Sequence, residues 1–195
     1  MAHKATVLFD GTEHFEKMTY RNKYFITGAN GGIQLSIPLE QGREQRRPMN
    51  EVMIYNKERW QTQHWRTLVS VYKRTPFFEH YEPSLQTLFE KQYTSLTDFN
   101  LATIYWLKKQ LHAVFEEQFA EVYHKHYDGA TDLRVGFKPA AEKNCIHTEP
   151  YYQVFSDRNG FLPNLSMLDL LFAEGPNAMN WVKQHEVLIN SWTKK

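Results

Sequence analysis

The chain has 195 residues, 42% hydrophobic and 23% charged, a balance that is globular rather than disordered and suits one domain with a continuous core. Its 23 basic residues against 22 acidic ones leave a net charge of +1, which excludes a surface built to neutralise nucleic acid or an anionic membrane. A single cysteine, Cys145, excludes an intramolecular disulfide, and no apolar run approaches the roughly 20 residues of a membrane span.

The first stretch, MAHKATVLFDGTEHF, lacks the apolar segment of a secretory signal, so a cytoplasmic protein is expected. Residues 5–10, ATVLFD, form a β-branched and apolar run ended by Asp10 and Gly11, which predicts a strand. Residues 18–27 alternate, with Tyr20, Asn22, Tyr24 and Ile26 on one face and Arg21, Lys23 and Phe25 on the other. Residues 33–39 alternate too, with Ile33, Leu35, Ile37 and Leu39 inward. Between them GANGG (28–32) has the glycines of a phosphate loop. No helix follows it, and Asn30–Gly31 suits the positive φ angles of a tight hairpin turn, so a turn is predicted. The loop 40–50 carries Arg43, Arg46 and Arg47, either solvated or forming an anion clamp, since a guanidinium binds phosphate or carboxylate at two points. EVMIYN (51–56) is another strand candidate.

From residue 58 the period becomes helical. Trp60, His64, Leu68 and Val71 share one face, and Gln63, Arg66, Ser70 and Lys73 the other. A break is predicted at Pro76 and a helix start near Pro83. Ser95 and Asp98 have capping-box spacing ahead of a stripe of Leu96, Phe99, Ile104, Leu107 and Leu111. Residues 113–127 either extend that helix or start another. Residues 128–150 have few periodic runs, and a connection of that length is often functional. Residues 151–164 read as a short strand and a turn. The next helix has Ser166 and Asp169 in capping-box spacing and is divided at Gly175–Pro176. Segregated strands and helices predict an α+β fold in a single domain, 1–195. Its small, mainly antiparallel sheet comes from residues 5–56 and about 151–156, with helices from 58–127 and 165–190 packed on it.

Several residues could carry chemistry. His64 lies on an apolar stripe, where it is either a satisfied structural histidine or a general base. Asn100 also lies within an apolar stripe, and a buried amide must brace backbone or face a polar cleft. His14, Lys17, Arg21 and Asn22 crowd polar function at the start of the first hairpin. HKHYD (124–128) suggests a metal at strand spacing, but without a paired motif an exposed helix end is the better reading. Cys145 beside His147 invites a nucleophile reading on weak grounds. Ser166 has a sufficient role as a helix cap.

The runs HFEKMTYRNKYFITGANG, QLSIPL, RRPMNEVMI, WQTQHWRTLVSVYKRTPFFEHYEPSL, LTDFN and YYQVFSDRNGFLPNLSMLDLLFAEGP, spread over residues 10–176, resemble the WbqC-like family, bacterial proteins associated with O-antigen and other surface-polysaccharide gene clusters. The resemblance implies a soluble cytoplasmic protein that modifies or assembles an activated sugar. It suggests acyl or aminoacyl transfer to an amino-sugar nucleotide. The family's recurrent polar positions fall on Lys17, Asn22, His64, Asn100, Asn164 and Asp169. In that reading His64 is the general base and Asn22 and Asn100 orient substrate. Lys17, Arg21 and Arg66 bind an anionic group, with Arg43, Arg46 and Arg47 at a diphosphate and Asn164 and Asp169 completing the substrate contacts. The alternatives are a non-catalytic binding or scaffold protein in the same pathway and a hydrolase acting through Cys145. No metal or cofactor is implied. The expected partner is a small molecule, a sugar nucleotide or an activated acyl donor, without nucleic acid or membrane insertion; a homodimer stays open. Two features depart from the family pattern: an opening motif like H-Q-P-x-Y-F-P is missing ahead of VLFD, and Ala173 stands where asparagine is common.

Overall fold

The alternation of residues 18–39 becomes an antiparallel hairpin in the computed structural model, which describes residues 5–40, 46–134 and 149–184. Strand β2 (Lys23–Ile26) pairs with β3 (Ile33–Ser36), Tyr24 opposite Leu35 and Ile26 opposite Ile33. Leu35 and Ile26 are buried, while Gln34 and Ser36 face solvent, as a period of two requires. The Gly31 N–H donates to the Gly28 carbonyl at 3.3 Å, and Gly31 takes φ 110°. The glycines therefore make a turn, with the positive φ carried by Gly31 and not by Asn30.

Strand β1 (Thr6–Phe9) forms where predicted but finds a distant partner, β4 (Glu116–Phe119). The two run parallel, Thr6 opposite Glu116 and Phe9 opposite Phe119. The expectation of one mainly antiparallel sheet is thus corrected. The described residues hold two small sheets, one parallel and one antiparallel. Glu116, Glu117 and Gln118 favour helix on their own. They extend because β1 supplies backbone acceptors, Ala5 for the Glu116 N–H (2.9 Å) and Phe9 for the Ala120 N–H (3.0 Å). Residues 51–56 make single bridges, Leu39 with Ile54 and Met53 with Ser95, rather than a ladder strand. Residues 151–155 are irregular and lead into α4 (Ser156–Asn159). There the buried Gln153 takes over a strand neighbour's part. Its amide donates to the Leu162 carbonyl and accepts from the Leu162 N–H, both at 2.9 Å.

The long helical region divides into α1 (Trp60–Tyr72), α2 (Phe78–Glu90) and α3 (Leu96–Gln110). The break at Pro76 is observed. However, α2 starts at Phe78, and Pro83 sits exposed within it. Ser95 caps α3, its Oγ accepting the Asp98 N–H at 3.3 Å. Trp60, His64, Leu68 and Tyr72 form the buried face of α1. Helix α5 (Met167–Glu174) buries Leu168, Leu170, Leu171 and Phe172, and Phe172 packs edge-on to Phe78 with ring centroids 5.1 Å apart. Fully burying each such side chain stabilises by about 1.5–3 kcal/mol. Gly175 turns the chain into a short 3-10 segment ahead of α6 (Ala178–Gln184). Its φ is 54°, and a Cβ there would meet the Phe77 ring at 2.5 Å.

Two contacts place the remaining pieces over the hairpin. The Ser166 N–H donates to the Phe25 carbonyl at 2.7 Å, setting the start of α5 against β2. Asn22 joins Ile37 twice, its carbonyl accepting the Ile37 N–H (2.8 Å) and its amide donating to the Ile37 carbonyl (3.1 Å).

Candidate functional site

A cavity of about 170 Å³ lies between the first hairpin, α2, α3 and the start of α5. The 3-10 turn Tyr20–Asn22 and β2 supply one wall. Leu85, Leu88 and Phe89 from α2 face Phe99, Trp106 and Leu107 from α3. Both helices present these residues on the same apolar stripes that build the core, to which Leu85, Phe89, Phe99 and Trp106 also belong. Trp106 is held by its indole N–H, which donates to Ser84 Oγ at 3.0 Å. Polar groups come from Arg21, Lys23, Tyr24, Asn100 and Thr103.

These polar groups are anchored. The Asn100 amide donates to the Arg21 carbonyl at 2.9 Å, which explains an amide within an apolar stripe: it ties α3 to the 3-10 turn and lines the cavity as well. Arg21 grips Glu13 at two points, Nε to Oε1 at 3.0 Å and Nη2 to Oε2 at 2.7 Å, and donates to the Arg134 carbonyl at 3.0 Å. That fork is already filled, so Arg21 is a poor clamp for a substrate anion.

His64 stands behind this wall, 4% exposed, and does not itself line the cavity. Its Nε2 lies 3.2 Å from the Ser36 carbonyl, which can only accept, so Nε2 carries the hydrogen. Nδ1 is then the acceptor for the Tyr24 hydroxyl at 3.2 Å. The rings of Trp60 and Tyr24 pack edge-on to the imidazole at 5.2 and 5.5 Å. Burial drives the His64 pKa down to about 4, and the Ser36 carbonyl opposes this only in part. Burial pushes the Tyr24 phenol up. Both groups are neutral at pH 7. Proton movement between His64 and the cavity would pass through Tyr24, so the imidazole is not placed to touch substrate directly.

The other predicted site residues scatter. Lys17 is exposed ahead of the 3-10 turn, and Asn22 serves the hairpin through Ile37. Arg66 is exposed on the face of α1 away from His64, as the helical period requires. Arg46 and Arg47 are exposed, and the Arg47 carbonyl accepts the Phe15 N–H at 2.8 Å. Arg43, Cys145 and His147 lie outside the described residues. Asn164 adopts φ 59°, a left-handed turn residue just before the Ser166 cap, whose Oγ accepts the Leu168 N–H. Asp169 is in the core, 2% exposed. Its Oδ1 accepts the Tyr72 hydroxyl at 2.6 Å, while Oδ2 has no hydrogen-bond partner among the described residues. Burial raises its pKa, and the nearby Tyr72, Tyr151 and Gln153 offset this in part. His124 and His126 are exposed, and the His124 and Lys125 carbonyls accept from Arg134.

Sequence reasoning missed Tyr24, Lys23, Thr103 and Trp106 as cavity residues. The signal for Tyr24 was its alternation with Asn22 and Ile26, which placed it inward without showing that it would face His64. No helix among the described residues is long and apolar enough to cross a membrane. No curated protein and no solved structure matches the chain. The model of the WbqC-like protein family matches residues 2–135, a span that holds both sheets, α1 to α3 and the His64–Tyr24 pair. By that match the chain belongs to the WbqC-like protein family.

Proposed function

We propose that this protein transfers an acyl or aminoacyl group to an amino-sugar nucleotide in the cytoplasmic stage of bacterial surface-glycan (O-antigen) biosynthesis. Family membership supports the pathway. The observation that carries the chemistry is the chain of hydrogen bonds from the Ser36 carbonyl through His64 to Tyr24, a cavity-wall residue. A neutral imidazole whose tautomer is set by a backbone carbonyl can receive a proton at Nδ1. In the proposed step the sugar's amine nitrogen attacks the carbonyl carbon of an activated donor. The new C–N bond forms as the bond from that carbon to the donor's leaving atom breaks. The amine proton passes to the Tyr24 oxygen while the Tyr24 proton passes to His64 Nδ1, and the same path returns a proton to the leaving group. His64 is thus a positioning residue that takes the proton only during the step, acting through Tyr24, because burial disfavours a lasting imidazolium.

A transfer assay with an amino-sugar nucleotide and an acyl thioester tests this. Tyr24→Phe and His64→Gln are each expected to lower kcat by about 10²–10⁴. Wild-type rates in both folded variants would overturn it. A second reading, a non-catalytic scaffold in the same pathway, is favoured by the way Arg21, Asn22 and Asn100 are engaged with Glu13 and backbone. It predicts no thermal shift with any sugar nucleotide and intact glycan assembly in cells carrying Tyr24→Phe.

A further inference from the structure

The cavity's size and lining discriminate among the groups such a reaction could place there. An apolar cavity of about 150 Å³ holds one benzene molecule. At about 170 Å³, this one holds roughly six carbon atoms. A hexose, with about twice that number of heavy atoms, does not fit, and a nucleotide is larger still. The wall is hydrocarbon on most sides: Leu85, Leu88, Phe89, Phe99, Leu107 and Leu168. A sugar's hydroxyls would lose water there without enough partners.

Charge separates acyl from aminoacyl. Among the described residues the cavity is lined by two cations, Arg21 and Lys23, and by no acidic side chain. Glu13 neutralises Arg21, so Lys23 dominates the lining. An α-ammonium group would be desolvated beside a like charge with no carboxylate to meet it. A neutral acyl chain meets no such cost, and the carbonyl at its head is drawn toward a cation.

We infer that the cavity between the first hairpin and helices α2 and α3 binds the unsubstituted short acyl chain, about four to six carbons long, of the donor, leaving sugar and nucleotide outside. This deepens the transfer reading and rests on it for the word donor; the binding site itself does not.

The probes are sodium butanoate, hexanoate, octanoate and decanoate, with 2-aminohexanoate as the aminated counterpart and glucosamine as the sugar. Binding to the full chain is read by ligand-observed NMR and titration. Affinity should rise about fourfold per methylene up to about six carbons, then fall at eight and ten. The aminated acid should bind at least about tenfold more weakly than hexanoate. Leu88→Trp, which fills the cavity, should abolish hexanoate binding with little change in Tm. Should that variant not fold, contacts from the hexanoate methyl to the Phe99 and Trp106 rings in the wild type serve instead. Absence of saturable hexanoate binding, a rise that continues through decanoate, or equal binding of the aminated acid would overturn the inference. Full transfer activity in Tyr24→Phe alongside a clear six-carbon optimum would sink the catalytic reading and leave this one standing. The converse result would separate them the other way.

Discussion

The Ser36 carbonyl chooses the tautomer of His64, and that choice decides which way Tyr24 points its proton. The same burial makes His64 an acid sensor for the fold. An imidazole ordinarily titrates near 6.5, and in the folded chain this one is held to about 4. Between those values the unfolded chain takes up a proton that the folded chain refuses. Stability should therefore fall as pH drops from about 6.5 to 4 and level off below, with a total loss of about 3 kcal/mol. Urea unfolding at neutral, intermediate and acidic pH measures it. His64→Gln, which does not titrate, should flatten that slope; an unchanged slope would place the acid sensitivity elsewhere. Asp169 works in the opposite sense. Its folded pKa is raised, so ionisation weakens the fold as pH rises, and acid relieves that cost. Asp169→Asn keeps an acceptor for Tyr72 and removes the charge. It should raise stability at neutral pH and change it less at pH 4, measured in the same titration.

At the scale of elements, the Gly175 turn permits one residue type. Gly175→Ala puts a Cβ against the Phe77 ring in a left-handed conformation, and should cost about 3 kcal/mol in thermal unfolding. A loss below half that would mean Phe77 can swing aside. The elements differ in how much of them could be read in advance. The hairpin was legible because Ile33, Leu35 and Ile37 alternate with polar residues and Gly31 fixes the turn. The caps at Ser95 and Ser166 were legible because capping is local. β4 was not, since Glu116 to Gln118 prefer helix and extend only to meet β1. Residues 151–155 read as a strand from their aromatics, yet Gln153 supplies from its side chain the pairing that a neighbouring strand would have given. The site divides along the same line. Asn100 and His64 stood out as polar groups on apolar stripes, a local signal. The cavity that Asn100 lines, with His64 behind its wall, depends on where α2 and α3 meet the hairpin, which no local pattern encodes. Lys17 was assigned from the family resemblance and Arg66 from its charge, and both prove to be exposed.

Across the whole molecule, one side chain fastens the segment after β4 back onto β1. Arg134 reaches Asp10 at 2.7 Å and Asp132 at 2.5 Å, and lies over the rings of Tyr123 and Tyr127. Its backbone carbonyl meets Arg21, so the same residue touches the first hairpin. Arg134→Ala would leave the half-buried Asp10 without its cation and should cost about 1 kcal/mol. Limited proteolysis should then cut within residues 120–133 well before the helices. Equal protection in both proteins would show that the tyrosines hold the segment without the arginine.

The parallel pairing of β1 with β4 has a consequence for how the chain reaches this shape. A ribosome delivers Thr6 to Phe9 long before Glu116 to Phe119, so the first strand emerges with its partner still unmade. Helices α1 to α3, whose contacts are local, can assemble meanwhile. Closing a loop that spans three helices costs more chain entropy than the local helix contacts do, and until it closes Val7, Leu8 and Phe9 have neither edge paired. The nascent chain is most exposed to wrong partners in that interval, and a chaperone that masks residues 6–9 would act at the point of greatest need.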